Sequence, residues 1–356
     1  MPRRWAYRGG RRAGVVRVTS VKEFRVERAA TAEELGRGAF VFTDDYSVFD
    51  WGKMPDAIPN KGASLCAMGA YNFELLESAG IPTHYRGVVS DGAVVDIDEV
   101  ADPPREMAID LTRVPELPHE GREYDYDAFH AEAGDDYLVP LEIVFRNTVP
   151  VGSSLRSRSD PGAFDLPHDE WPDEPVDLPE PVVEFSTKFE ESDRYLSRAE
   201  ADRIAGSAAV DDLESVAREV NARVTETAAE AGLVHEDGKI ECLYHDGEVR
   251  VADVVGTFDE NRFSYDGQEL SKEVVRQYHK REQSGWVEAV NEAKARAKQE
   301  DVADWRRLCE REPDPLPGRV VTAVRDVYAA GANAYLDREL FDAPSLASAV
   351  ETVRGL

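Results

Sequence analysis

The stretch DGKIECLYHDGEVRVADVVGTFDENRF, residues 237–263, constrains the fold most strongly, because charged and apolar residues alternate on both sides of the turn signal HDG. That pattern specifies an antiparallel hairpin with two unlike faces. Asp237, Lys239 and Glu241 share one face of the first strand, while Ile240 and Cys242 take the other. A three-residue loop with Gly247 in the left-handed region pairs Tyr244 with Glu248 and sets Lys239 opposite Asp253 and Glu241 opposite Val251. Glu241 and Asp253 then form a diagonal pair about 7 Å apart. A two-residue turn instead shifts the register by one and sends Asp253 to the reverse face.

In a chain this acidic, these carboxylates are either solvated residues of an exposed strand or members of one site. VADVVG embeds Asp253 among residues suited to burial, where an unpaired carboxylate costs several kcal/mol or takes up a proton. A divalent cation removes that penalty, and Mg²⁺ is typically held by one or two carboxylates with water and nucleotide phosphates. Asp259 and Arg262 follow the second strand, where an arginine fork suits a phosphate, a carboxylate or an ordinary surface ion pair. His235, His245 and His279 read as turn or surface residues rather than a metal triad, and Asp50 as a substrate contact or a turn cap.

The flanking sequence extends this hairpin into a larger α+β chain. VVRVTSVKEFRV, GAFVFTDDY, HYRGVVS and GAVVDID read as strands, and GASLCAMGAYNFELLESAG as a helix ending on Gly80. Together, residues 15–106 are expected to form a small β-rich lobe. LVPLEIVFRN reads as a buried strand of a larger lobe over 107–280, and the segment from Ser197 is helical until Gly232. Helices follow from Ser271, making 281–356 a helical C-terminal extension. Residues 114–137 and 156–181, rich in Pro, Asp, Glu and Gly, are either acidic surface insertions or a pair of lids.

Composition limits the classes of partner. Hydrophobic residues form 42% of the chain, with 13 Phe, 13 Tyr and 5 Trp, so the net charge of −29 must lie mainly on the surface. Such a surface repels nucleic acid and anionic membranes, and self-association is compatible with it. Only nine of the 42 basic residues are Lys, a balance resembling cytoplasmic proteins of organisms with molar internal salt, so a halophilic source is expected. At about 1 M salt the Debye length is roughly 3 Å, which makes dense like charge tolerable. No apolar run approaches the about 18 residues of a membrane span. Cys66, Cys242 and Cys309 are scattered and in no CxxC spacing, which points to a reducing, cytoplasmic setting and against structural zinc. The basic residues 1–14 lack the apolar segment of a secretion signal and are expected to be a disordered arm or the product of an over-extended start.

Several segments in order resemble the SAICAR synthetase family. DGKIE resembles its D-x-K-hydrophobic-E strand, ADVVGTFDENRF its second strand and following loop, and LSKEVVRQ the segment after that. Upstream, YSVFDWGKMPDAIPNKGASL, LLESAGIPTHY, PLEIVFRNTVPVGSSL and PVVEFSTKFEESDRYLS resemble further family signatures, so the likeness spans about residues 19–280. Three positions depart. TSVK retains only Lys22 of a basic phosphate-cradling pair, one extra residue separates Arg146 from Gly152 and Ser153, and Val254 replaces an acidic residue.

The resemblance implies a two-lobed, ATP-grasp-like α+β fold and an ATP-dependent ligase. The expected reaction joins L-aspartate to 5-amino-1-(5-phosphoribosyl)imidazole-4-carboxylate through an acyl phosphate. It implies Mg²⁺ on Glu241 and Asp253, with Lys22, Lys239 and, less directly, Lys188 near nucleotide phosphate or carboxylate oxygens. Arg146, Ser153 and Arg262 are expected on the ribose phosphate, and Asp237 on the ring amine or a second metal. MAIDL, residues 107–111 with Ala108, is expected to be the strand between lobes whose backbone receives adenine. Lys61 and Lys272 fall in the same family segments. Another ATP-dependent ligase or kinase on this scaffold, or a nonenzymatic nucleotide binder, are the rival readings.

Overall fold

The computed structural model describes residues 16–18, 22–31, 34–190, 193–300, 302 and 304–356. The arm expected over residues 1–14 lies outside them, as do Thr19, Ser20 and Val21 of TSVK.

Strands β1 (Val16–Val18), β2 (Lys22–Arg28), β3 (Gly36–Phe42), β4 (Tyr85–Ser90), β5 (Ala93–Val95) and β6 (Glu106–Leu111) form one sheet in the order β1-β2-β3-β6-β4-β5. Helix α1 (Lys61–Ser78) is buried along most of its length, including Leu65, Cys66, Met68, Phe73 and Leu76. Small residues permit this close approach: a Cβ on Gly62 would lie 2.7 Å from the Phe42 carbonyl oxygen. The helix ends as its sequence requires, with Gly80 at φ +82 and the Ile81 amide returning 3.0 Å to the Leu76 carbonyl.

The chain then builds a short hairpin of β7 (His119–Glu120) and β8 (Glu123–Tyr124), helix α2 (Tyr126–Ala133), and strands β9 (Asp136–Leu138) and β10 (Leu141–Val149). The expected single strand LVPLEIVFRN is thus divided at Pro140, which has no amide hydrogen for a ladder. After β11 (Val176–Thr187), the expected long helix is likewise two, α3 (Arg198–Ala205) and α4 (Val210–Glu230). Gly206 separates them at φ +72, with the His130 ring where a Cβ would stand. Strands β12 (Val234–His245), β13 (Glu248–Ala252), β14 (Asn261–Tyr265) and β15 (Gln268–Glu269) complete a seven-stranded sheet. Helices α5 (Glu273–Glu282), α6 (Ser284–Glu300), α7 (Gly318–Tyr335) and α8 (Leu346–Arg354) follow. β6 is paired on both edges within the first sheet, so residues 107–111, expected in the larger lobe, belong to the first sheet.

Neither acidic segment hangs free. Tyr126 and Phe129 of the first are buried in the main core. In the second, the Arg156 guanidinium donates to the carbonyls of Val149, Pro150, Pro172 and Glu174 and lies over the Trp171 ring.

The long strand β12 organises the second sheet. Its first half lies between β10 and β14, and its second half between β9 and β13. Both flanks are therefore interrupted near Lys239–Glu241: one at Val139–Pro140, the other between Ala252 and Asn261. Inward side chains such as Ile240 and Cys242 join the main core, and each such burial contributes about 1.5–3 kcal/mol for a large aliphatic group. Leu243, on the opposite face, joins a separate small cluster with Leu138 and Ala252, flanked by Val114 and Phe189.

Candidate active site

The hairpin turn differs from the three-residue loop expected. Asp246 and Gly247 both have positive φ, 50° and 84°, forming a two-residue turn that pairs His245 with Glu248, Tyr244 with Val249 and Glu241 with Ala252. Lys239 is not opposite Asp253, and Cys242 rather than Glu241 faces Val251. A continuing strand in this register would send Asp253 to the reverse face, but β13 stops at Ala252 and Asp253 adopts φ 63°. This left-handed residue turns the carboxylate back toward Lys22, with which it forms an ion pair. The backbone break, not the register, brings Asp253 into the Glu241 cluster.

That cluster alternates charge. Lys188 pairs with Glu241, and Lys239 Nζ lies 2.7 Å from Glu142 and 3.5 Å from Glu260. Lys22, on β2, also sits 4.3 Å above the Phe40 ring centroid of β3, so its ion pair with Asp253 joins the first sheet to the site. Burial and the nearby Asp253 charge raise the Glu241 pKa, despite Lys188 and Lys239. Burial opposes ionisation of Asp253 too, but Lys22 and Lys188 outweigh it and bring its pKa down to about 2. For Lys239, burial disfavours the charge, yet Glu260, Glu142 and Glu241 raise its pKa. Two repelling carboxylates among lysines suit a bound dication with phosphate. Among the described residues no group of three or more His, Cys, Asp or Glu is placed to hold a metal ion.

A second constellation crosses three strands in one row. Arg146 on β10 is directly opposite Asp237 on β12, which is directly opposite Arg262 on β14. Arg146 donates to Asp237 at 3.1 Å, Glu184 at 2.9 Å and the Tyr195 hydroxyl at 2.9 Å. Arg262 Nε donates to Asp237 at 2.8 Å and its Nη2 to the other carboxylate oxygen. Asp237 therefore holds two arginines side by side, where sequence analysis expected it on the ring amine or a metal. Arg158 adds a third guanidinium, fastened to Glu184 and 3.5 Å from the Tyr195 ring centroid. Ser153 is buried, and its Oγ accepts from the Leu155 amide at 3.3 Å.

Ala108 is corrected. It pairs with Ala39 on β3 and Gly87 on β4, so its backbone lies inside a sheet and is not open to a base. Beyond Leu111 the strand ends, the Arg113 carbonyl accepts from the Leu138 amide at 3.2 Å, and Val114 packs against the small apolar cluster. His245 is partly exposed and flanks the turn as expected, whereas the other two histidines are not at the surface. His235 and His279 are buried rather than superficial, His235 beside Thr225, Asn147 and Asn261, and His279 beside Tyr46. Asp50 is exposed and pairs with Lys294 on α6 at 2.7 Å.

Asp259, in the loop after Asp253, is held by Lys61 at 2.6 Å and by the Tyr328 hydroxyl of α7 at 2.8 Å, while Lys272 donates to its carbonyl at 2.7 Å. Lys61 and Lys272 thus support the loop. Sequence reasoning missed Glu142, Glu184, Tyr195, Arg158 and Glu260. Of these, Glu142 was within reach, since it has the same strand parity as Arg146.

A profile of the SAICAR synthetase family matches residues 29–293. A phosphoribosylaminoimidazole-succinocarboxamide synthase of Thermoplasma acidophilum is 30% identical over 302 residues, 81% of this chain and 89% of its own. An Archaeoglobus fulgidus protein to which that name is attached provisionally is 41% identical over 343 residues, 94% of this chain and 98% of its own. Similar folds occur in a SAICAR synthetase solved with ADP, at TM-score 0.51 and 22% identity over 85% of this chain and 100% of that one. They also include the Saccharomyces cerevisiae SAICAR synthase solved with SAICAR, at TM-score 0.60 and 17% identity over 92% and 96%.

Proposed function

The chain belongs to the SAICAR synthetase family, and from that premise we propose how its own groups carry out the family's reaction. That reaction joins L-aspartate to 5-amino-1-(5-phosphoribosyl)imidazole-4-carboxylate at the expense of ATP, in purine biosynthesis. The observation supporting our assignment is the succession along one face of β12: Asp237 with its arginines, Lys239, Glu241 with its lysines, then Leu243 in the apolar cluster. Six residues of strand at about 3.3 Å each separate the two ends by about 20 Å, room for two ligands end to end.

In this reading adenine lies at the apolar end, against Leu138, Leu243, Ala252, Val114 and Phe189. Arg262, Arg146 and Ser153 serve the ribose phosphate, with Asp237 fixing both guanidinium planes. Lys22, Lys188 and Lys239 face the transferring phosphoryl group. A bound Mg²⁺ would be held by Glu241 and Asp253 and would neutralise phosphate charge.

A carboxylate oxygen of the imidazole substrate attacks the γ-phosphorus, the bond to the bridging oxygen breaks, and ADP leaves. The neutral amine of aspartate then adds to the acyl carbon, the carbon–oxygen bond to phosphate breaks, and the amine proton passes to solvent. The lysines stabilise charge on the equatorial phosphoryl oxygens in the first displacement, and on the acyl oxygen and departing phosphate in the second. A coupled ADP-release assay in molar KCl with ATP, Mg²⁺, the imidazole carboxylate and L-aspartate tests this. Aspartate-dependent ADP release is expected; its absence would sink the assignment.

A further inference from the structure

We propose that His84 is the positioning residue that holds Asp253 in its left-handed turn and ties that turn to the joint between the two sheets. The proposal rests on the assignment of Asp253 to the cation site. Asp253 reaches Lys22 only because its backbone departs from the strand at φ 63°, a conformation that costs a non-glycine residue on the order of 1 kcal/mol. Continued strand geometry would instead align it with Ile240, whose side chain belongs to the main core. The turn therefore needs a restraint.

His84 supplies it through three hydrogen bonds. Its ring Nε2 lies 3.1 Å from the Asp253 carbonyl oxygen, so Nε2 carries the hydrogen and donates. Its main-chain N–H donates to the Val251 carbonyl at 3.0 Å, and its own carbonyl accepts from the Asp110 amide at 2.7 Å. The Val251 amide returns 2.9 Å to the Pro82 carbonyl, and Thr83 bridges Val251 in parallel fashion. Residues 82–84 thus join β6 of the first sheet to β13 of the second, with the His84 ring reaching one step further to Asp253. The ring is 4% exposed, with the Phe40 and Phe73 rings centred 5.9 Å and 5.4 Å away, which fixes its direction. Lys22 also holds Asp253, but through the carboxylate that a cation needs. His84 instead holds the main chain, through the Asp253 carbonyl.

His84→Leu removes the donor and keeps an apolar filling, His84→Gln retains an amide N–H near the Nε2 position, and His84→Asn places its donor one bond short. For each, calorimetry of ADP binding in molar KCl is compared with MgCl₂ and with EDTA, alongside binding of the imidazole nucleotide. In the Leu and Asn variants the Mg²⁺ enhancement of ADP affinity is expected to fall about tenfold, matching the loss of one hydrogen bond plus the turn it restrains. The Gln variant should recover most of it, and imidazole nucleotide affinity should be unchanged. If Leu does not yield folded protein, Asn decides alone. Unaltered Mg²⁺ enhancement, or a parallel loss of imidazole nucleotide affinity, overturns the proposal. If wild-type protein shows no Mg²⁺ enhancement, the cation assignment fails. The φ of Asp253 in a crystal structure of the Asn variant then decides the His84 role, a retained left-handed value refuting it.

Discussion

Arg262 and Asp237 form a largely buried ion pair rather than the surface salt bridge that spacing alone allowed. Burial disfavours the Arg262 guanidinium charge, but Asp237 raises its pKa, so it stays cationic at any working pH. Arg262→Ala should raise the KM for the imidazole nucleotide about ten- to hundredfold, the value of a charged hydrogen bond, with a much smaller change for ATP. Equal changes in both would contradict the phosphate assignment. The buried histidines make a second expectation. Burial lowers both His84 and His235 from the ordinary 6.5 to about 4. Their folded pKa lies below the unfolded one, so the stability held in their neutral form is complete above about pH 6.5 and drains as pH falls toward about 4. NMR titration should show these two rings uncharged down to about pH 4; titration near 6.5 would contradict their burial. Residue types at these positions were legible, since Asp237, Lys239, Glu241, Arg146 and Arg262 stand in strand alternation. The left-handed Asp253 was not, because aspartate tolerates either backbone region and a distant histidine selects between them.

At the scale of the element, β12 does most of the organising, and its hydrophobic periodicity announced it. Its register did not follow, because HDG accommodates a two-residue or a three-residue loop, and the choice moves every side chain of β13 to the other face. Gly238 marks another constraint on this strand. A Cβ there would stand 1.9 Å from Asn261 Nδ2 and 2.6 Å from the Phe145 ring, the cross-strand neighbours on either side. Gly238→Ala should therefore destabilise the protein by about 1–3 kcal/mol or more, read as a lower midpoint in chemical denaturation. An unchanged midpoint would mean the row of Phe145, Gly238 and Asn261 is looser than described. Pro140 and Gly206 broke elements that periodicity alone had joined, as their missing amide hydrogen and missing Cβ permit.

For the whole molecule, the C-terminal helices are part of the site's support, since Tyr328 of α7 bonds Asp259 and Tyr335 bonds Asn72 of α1. The net charge of −29 sets another expectation: raising KCl from dilute buffer to about 1 M should raise the thermal midpoint, because screening shortens like-charge repulsion to about 3 Å. Full stability by circular dichroism in dilute buffer would refute it. The sequence by itself determined the alternating hairpin, the helix capped at Gly80, the apolar faces and the ordered segments that identify the family, because each depends on neighbours within a few residues. Only the tertiary structure decided that β6 is enclosed on both edges and unavailable to adenine at Ala108, that Asp237 clasps Arg146 and Arg262 across three strands, and that α7 reaches Asp259. Those outcomes depend on contacts between residues far apart in the chain, whose geometry no local pattern encodes. The carboxylates of residues 237–253 meet for the same reason: the strand ends where His84 and Lys22, both outside the hairpin, hold Asp253.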